Sequence, residues 1–256
     1  MHPLRYSLVV LFLFLGMASQ AQVIPVEQPV TSTTTPAKTT KVKKKASHKT
    51  VVDTVKVYEP VAAKPAEPAV ADNKFNFLDG FTDNSNGWPT VSDANKEISV
   101  SDGKLIIKNN TNGRAFHCGR NFAIEVKKDF LLKVTAKWVS GTTGSGFGVY
   151  FCSNDQTGSF YTFEISSNGN YTIGYFENRG NVTLLKAWTN SPYINQGMMP
   201  NILTVKREGS YIRFIINDHL VENFPFEGAY GDGFGFRVSD AQNVKFENFT
   251  LTGTAR

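Results

Sequence analysis

The chain has 256 residues, of which 41% are hydrophobic and 19% charged, a length that allows one large domain or two small ones. Its formal net charge of +5 comes mostly from residues 1–72, where nine basic residues face five acidic ones, and residues 73–256 contribute only +1. Nucleic-acid binding is disfavoured, because the excess basic residues lie in an N-terminal stretch without interleaved aromatic side chains.

Residues 1–21 have the features of a secretory signal peptide. Arg5 precedes the apolar run LVVLFLFL, and Ser19-Gln20-Ala21 matches a small-x-small cleavage site. The run is too short to cross a bilayer and no second one follows, so the mature chain is not expected to be an integral membrane protein. We expect a secreted, periplasmic or cell-surface protein. The alternative is an uncleaved N-terminal anchor.

Residues 22–72 are predicted to be a disordered linker. They contain one aromatic residue, Tyr58, and are rich in Pro, Thr, Ala, Val and Lys without an apolar period. The Pro-Ala-Glu-Pro stretch favours an extended, semi-stiff tether. The lysines of residues 41–49 could contact an anionic envelope surface, and a solubilising spacer is the alternative.

Residues 73–256 are predicted to form one folded domain that begins with a short strand near Phe75. A DNSNG turn then leads to Trp88, which is expected in the core beside Pro89. Further strands are predicted over residues 97–101, 105–108, 115–126 and 129–139. In the last of these, apolar side chains alternate with Leu131, Lys133, Thr135 and Lys137, which predicts one buried face that includes Trp138.

Residues 147–217 predict an antiparallel meander with one buried face. Apolar side chains occupy alternate positions in three consecutive runs: Phe147, Val149 and Phe151; Tyr161, Phe163 and Ile165; and Tyr171, Ile173 and Tyr175. Asn217-Asp218 predicts a tight hairpin with positive φ. Strands over 234–239 and 244–251 complete the domain. Since no window shows a helical period, the prediction is an all-β, two-sheet antiparallel sandwich of the jelly-roll type.

The order of strand and turn motifs resembles a known superfamily. The motifs are F-x-D-G-F, G-W-P, S-D-G-K-L-I-I, K-D-F-L-L-K-V, G-F-G-V-Y-F, Y-T-F-E-I-S, G-N-Y-T-I-G, N-x-L-T-V-K-R, F-I-I-N-D-x-L-V and G-F-G-F. They are similar to bacterial concanavalin A-like lectin/glucanase jelly rolls, in particular laminin-G-like and 3-keto-disaccharide-hydrolase-like (DUF1080) domains. The resemblance covers roughly residues 75–252. It implies a glycan-binding sheet, and in some members glycan cleavage.

Glu164 is the one candidate catalytic residue. Glucanases of the superfamily use a strand motif Glu-x-Asp-x-x-Glu, which the chain lacks. Glu164 is predicted to point away from the buried side chains of its strand and has no carboxylate two residues away. Glycoside hydrolysis needs two carboxyl groups, so a hydrogen-bonding role for Glu164 is favoured over catalysis.

A ligand-binding face is predicted opposite the buried side chains of the meander. Its candidate residues are Tyr150, Glu164, Phe176, Lys186 and Trp188. Flat aromatic rings beside hydrogen-bonding groups suit sugars, whose C–H faces stack while their hydroxyl groups need partners. The alternative is that these aromatic side chains are covered by a loop or by the curvature of the strands.

Calcium is a weaker prediction. Asn154, Asp155 and Asp232 are predicted in loops, where their oxygens could bind Ca²⁺, but such residues are also common in turns. No other cofactor is indicated. The two cysteines, Cys118 and Cys152, are predicted in strands, with Cys152 on the face of Tyr150. They form either a disulfide or two separate half-buried thiols.

Three functions remain open from the sequence. The favoured hypothesis is a non-catalytic module that binds a glycan or a cell-envelope polysaccharide. The second is a glycoside-acting enzyme of the 3-keto-disaccharide-hydrolase type, and the third is a structural envelope or adhesion domain without a small ligand.

Overall fold

The structure is a computed structural model that describes residues 73–226 and 228–256. The signal peptide and linker predicted for residues 1–72 lie outside these residues. The described chain forms fifteen strands and no helix, and therefore contains no helix long and apolar enough to cross a membrane. The strands are β1 (Lys74–Asp79), β2 (Val91–Ser92), β3 (Lys96–Ser101), β4 (Lys104–Asn109), β5 (Ala115–Asn121), β6 (Phe130–Gly141), β7 (Phe147–Asn154), β8 (Ser159–Ile165), β9 (Asn170–Glu177), β10 (Asn181–Asn190), β11 (Asn201–Glu208), β12 (Tyr211–Ile216), β13 (His219–Pro225), β14 (Gly233–Ser239) and β15 (Gln242–Thr254).

The strands form two sheets, and within each sheet all neighbouring strands pair antiparallel. The larger sheet has nine strands in the order β13-β12-β11-β6-β15-β4-β3-β2, with β1 paired to β15. The smaller sheet has six in the order β10-β9-β8-β7-β14-β5. The predicted two-sheet jelly-roll sandwich is confirmed.

The core lies between the two sheets and follows the predicted alternation. In β6, Leu132 and Val134 are fully buried, whereas Lys133 between them is partly exposed. Trp88 is buried as predicted, and its indole N–H donates to Asp79 Oδ2 at 2.6 Å, which satisfies the buried polar atom. Trp138 is only partly buried, although it packs against the core.

The predicted meander over residues 147–217 is divided between the sheets. Strands β7 to β10 are neighbours in the smaller sheet, and the chain then crosses to the larger sheet, where β11 pairs with β6 and β12. The hairpin between β12 and β13 is confirmed, since Asn217 and Asp218 have φ of 49° and 65°.

Cys152 lies on the face opposite to the one predicted. Its φ of 53° coincides with a register shift in the pairing of β7 with β8 and with β14, and this bulge turns the side chain into the core. Both cysteines are free and buried, so the alternative of separate thiols holds, with more complete burial than predicted. Burial raises the pKa of the Cys118 thiol to about 12, so the thiol stays protonated and unreactive near neutral pH.

Candidate functional site

The outer face of the smaller sheet brings Glu164 and Arg237 together. Phe163 and Ile165 point into the core, which places Glu164 on the outer face of β8. Arg237 lies on the outer face of β14 for the same reason. The two strands are separated by β7, where Gly148 is the register partner of both residues. Because glycine has no side chain, the long side chains of Glu164 and Arg237 meet above it.

The pair is a buried ion pair that is fixed by hydrogen bonds. Arg237 Nη1 donates to both carboxylate oxygens of Glu164, at 2.7 and 2.6 Å, and to Ser239 Oγ at 2.8 Å. Glu164 is only 4% exposed. The guanidinium carbon lies 5.1 Å from the centre of the Phe176 ring, within the range of a cation–π contact. The guanidinium is therefore held rigidly, and the carboxylate neutralises its charge.

A pocket of about 310 Å³ opens above the ion pair. We call it the Glu164 pocket, and its lining residues are Gly144, Ser145, Gly146, Thr162, Glu164, Thr172, Phe176, Val182, Leu184, Trp188, Arg237, Ser239 and Asp240. Trp188, Val182 and Leu184 belong to β10, an edge strand, and are about half exposed. Gly146 leaves the space that Trp188 and the Glu164 carboxylate occupy, since a Cβ there would lie 3.2 Å from Trp188 Cη2.

Tyr150 lies on the predicted face but is buried. It covers Gly235 on β14 and Gly119 on β5, the next two strands of the sheet, where a Cβ would lie 2.9 and 2.1 Å from its ring carbon and its hydroxyl. Burial raises the pKa of the Tyr150 hydroxyl well above its ordinary value. The ring fills space left by glycines, so Tyr150 has little surface to offer a ligand.

An aromatic cluster extends from Tyr150 towards the pocket. Phe160 stacks on Phe176 with 4.7 Å between ring centres, and His117 contacts both Tyr150 and Phe160 edge to face. Although part of the imidazole is open to solvent, desolvation by these neighbours and the Arg237 charge lower the pKa of His117 to about 4. His117 is therefore neutral near pH 7.

Lys186 is not brought into the pocket. The register of β10 against β9 shifts on both sides of Lys186, so that its partner is Ile173, a core residue. Its ammonium group lies 2.6 Å from Glu222 Oε1 on β13, and Tyr171 donates to the same oxygen at 2.9 Å. The two bulges therefore turn Lys186 away from the face that carries Trp188, and it joins the edges of the two sheets instead.

The three candidate calcium ligands each have a protein partner. Asn154 Oδ1 accepts from Gln156 N at 2.9 Å, Asp155 Oδ1 accepts from Ser153 Oγ, and Asp232 forms an ion pair with Arg256 at 2.9 Å. Among the residues that the structure describes, no group of three or more His, Cys, Asp or Glu side chains is placed to hold a metal ion. Calcium binding by these residues stays a prediction.

Sequence reasoning missed Arg237, Ser239 and Asp240 as site residues. The alternation of Phe234, Phe236 and Val238 indicates which face Arg237 and Ser239 occupy. It does not indicate that β14 lies between β5 and β7, and this placement makes Arg237 a neighbour of Glu164.

No protein-family model matches the chain, and no curated protein matches it significantly. Solved structures match its fold. A β-glucanase of Bacillus licheniformis has a TM-score of 0.52 at 10% identity, over 71% of this chain and 98% of that one. A Bacillus subtilis protein of unknown function with a galectin-like fold has a TM-score of 0.51 at 12% identity, over 70% and 96%.

A third match is the CBM2 module of the evolved Dit of Lactobacillus casei BL23 phage J-1, with a TM-score of 0.51 at 10% identity, over 73% and 99% of the chains. These likenesses are of fold alone, and they agree with the jelly-roll sandwich of the described domain. The finer laminin-G-like and DUF1080-like resemblances remain predictions.

Proposed function

We propose that this chain is a glycan-binding module whose ligand occupies the Glu164 pocket. The observation that carries the proposal is the pairing of half-exposed apolar side chains on β10 with fixed polar groups around the ion pair. A sugar ring presents C–H faces to apolar surfaces and hydroxyl groups to hydrogen-bonding partners, and the pocket offers both. A volume of about 310 Å³ is at the lower end for ligand sites, which fits one or two sugar rings.

Each part of the pocket has a defined role in this proposal. The exposed indole of Trp188 stacks on a ring face. Glu164 accepts from a hydroxyl group through its remaining lone pairs, and Arg237 holds this carboxylate in place. Because the ion pair is fixed in advance, binding need not order these two side chains.

Fold and sequence features support the proposal at a coarser level. The jelly-roll relatives include a β-glucanase, a protein named for its action on a polysaccharide. With the export signal predicted for residues 1–21, the ligand would be a glycan or a cell-envelope polysaccharide outside the cytoplasm.

A second candidate, glycoside hydrolysis, is favoured by one observation: Asp240 lines the same pocket as Glu164. A glycosidase needs one carboxylic acid and one carboxylate. Here Arg237 holds Glu164, while Gly113 N donates to Asp240 Oδ1 at 2.6 Å and Ser145 Oγ donates to Oδ2 at 2.7 Å. Both carboxyl groups therefore already accept hydrogen bonds from donors of the protein. We therefore place binding first.

The test is a binding isotherm of the full chain against a panel of soluble neutral polysaccharides, with product analysis of the same mixtures. Trp188→Ala should weaken binding by about 1 kcal/mol or more, as for the loss of a stacked ring. The matched control is Tyr211→Ala, since Tyr211 is similarly exposed, 48% against 46%, but lies in the larger sheet.

Equal effects of the two substitutions, or no binding at all, would contradict the proposal. Sugar release that disappears in both Glu164→Gln and Asp240→Asn would establish the hydrolase instead. A chain that folds normally but binds no polysaccharide of the panel would favour the structural or adhesion role.

A further inference from the structure

We infer that the Glu164 pocket selects uncharged glycans against glycans that carry carboxylates. The inference rests on the proposed function and names the class of ligand that the same site takes. Its basis is the distribution of charge around the pocket. The Glu164–Arg237 pair leaves no free positive charge there to bind an anion.

The pocket contains one cation and two anions. Among its lining residues the ionisable groups are Arg237, Glu164 and Asp240, which amount to one net negative charge. Neither Lys186 nor His117 changes this balance. Lys186 is paired with Glu222 away from the pocket, and His117, with its pKa lowered to about 4, is neutral near pH 7.

The charge of Arg237 is already balanced by Glu164, so a ligand carboxylate would meet a neutral pair and not a free cation. Arg237 Nη1 already donates to Glu164 and Ser239, and the guanidinium lies over Phe176. The side chain is 14% exposed, and that of Glu164 is 6% exposed. Moving Arg237 towards a ligand would leave a buried carboxylate without its partner, which is strongly unfavourable.

Asp240 adds repulsion at the pocket rim. Its two oxygens accept from Gly113 N and Ser145 Oγ, neutral donors that hold the carboxylate in place without cancelling its charge. A ligand carboxylate would have to lose water beside this charge with no free cation to receive it. A neutral hydroxyl group meets no such electrostatic cost.

The test compares matched polymers that differ only in oxidation of the C6 hydroxymethyl group to a carboxylate, such as a glucan and the corresponding glucuronan. The full chain should bind the neutral polymer at least about tenfold more tightly. Because the basic N-terminal residues could attract polyanions without using the pocket, affinity is counted only where Trp188→Ala reduces it.

Two variants sharpen the test. Glu164→Gln frees Arg237, so Trp188-dependent binding of the uronate polymer should increase and become sensitive to salt, and the tenfold gap should close. If this variant fails to fold, Asp240→Asn removes a negative charge without touching the ion pair and should narrow the gap severalfold.

Two outcomes would overturn the inference, and they can be told apart. Trp188-dependent binding of the uronate polymer as tight as that of the neutral polymer refutes charge selection and leaves the proposed function standing. An absence of Trp188-dependent binding to either polymer refutes the proposed function itself, and the inference with it.

Discussion

On the outer faces of the two sheets, the same alternation of side chains places charged groups in opposite environments. On the larger sheet it presents lysines to solvent, namely Lys104 and Lys108 on β4, Lys133 and Lys137 on β6, and Lys245 on β15. Among the described residues none of the five forms an ion pair, and Lys137 lies directly opposite Lys245. On the smaller sheet, the charged groups Glu164 and Arg237 are buried against each other.

The difference shows what decides the state of a charge on a sheet. Lys137 and Lys245 are like charges directly opposite each other, which is unfavourable and keeps their ammonium groups in water. In the smaller sheet Gly148 lets opposite charges meet, and Phe176 and the strand β10 then exclude water from them. The following predictions test this contrast, from the largest expected effect to the smallest.

Substitutions on the two faces of β6 should have very different effects. Val134→Asp places an unpaired carboxylate in the core, which costs several kcal/mol. Because the free energy of unfolding of a domain is typically about 5–15 kcal/mol, this variant should not fold. Lys133→Asp on the outer face should change the free energy of unfolding by about 1 kcal/mol or less. Circular dichroism melts provide the measurement, and similar losses in both variants would show that the faces are misassigned.

Breaking the ion pair of the smaller sheet should cost far more than breaking one on the larger sheet. Arg237→Met leaves Glu164 buried without a partner and should lower the free energy of unfolding by about 3–5 kcal/mol. Arg213→Met removes the exposed partner of Glu208 and should change stability little. Urea unfolding measures the loss of unfolding free energy in each variant. Equal losses in the two variants would mean that the Glu164–Arg237 pair is hydrated.

The glycine between the paired charges should be intolerant of a side chain. A Cβ on Gly148 would lie 2.2 Å from the Phe163 carbonyl oxygen, so Gly148→Ala should destabilise the domain by about 1–3 kcal/mol. The control is Gly144→Ala at the pocket rim, where the nearest atom would be Asn168 Nδ2 at 3.6 Å. A Gly148→Ala variant as stable as this control would rule out the close approach of β7 and β8.

The smallest effect is a pH dependence that comes from His117. Its pKa is lowered to about 4 in the folded domain from an ordinary 6.5, so the unfolded chain takes up a proton first as the pH falls. Stability should therefore decline between about pH 6.5 and pH 4. His117→Asn should remove this part of the slope, and an imidazole that titrates by NMR near pH 6.5 would contradict the lowered pKa.

Several features could be read from the sequence because they depend on neighbours along the chain. Strand alternation predicted the buried face of β6 and the outer position of Glu164, and the Asn217-Asp218 turn predicted the β12–β13 hairpin. Lys186 and Cys152 were predicted on the wrong side because a bulge breaks the two-residue period, and no residue type announces a bulge reliably.

The amino-acid sequence by itself determined the fold class and which side chains of a regular strand share a face, because a two-residue period is a property of the local backbone. The tertiary structure alone decided that β14 lies beside β7, and hence that Arg237 meets Glu164 across Gly148. Residues 73 positions apart in the chain become partners only through the order of strands in a sheet. That order is set by the packing of the whole core, and no short stretch of sequence records it.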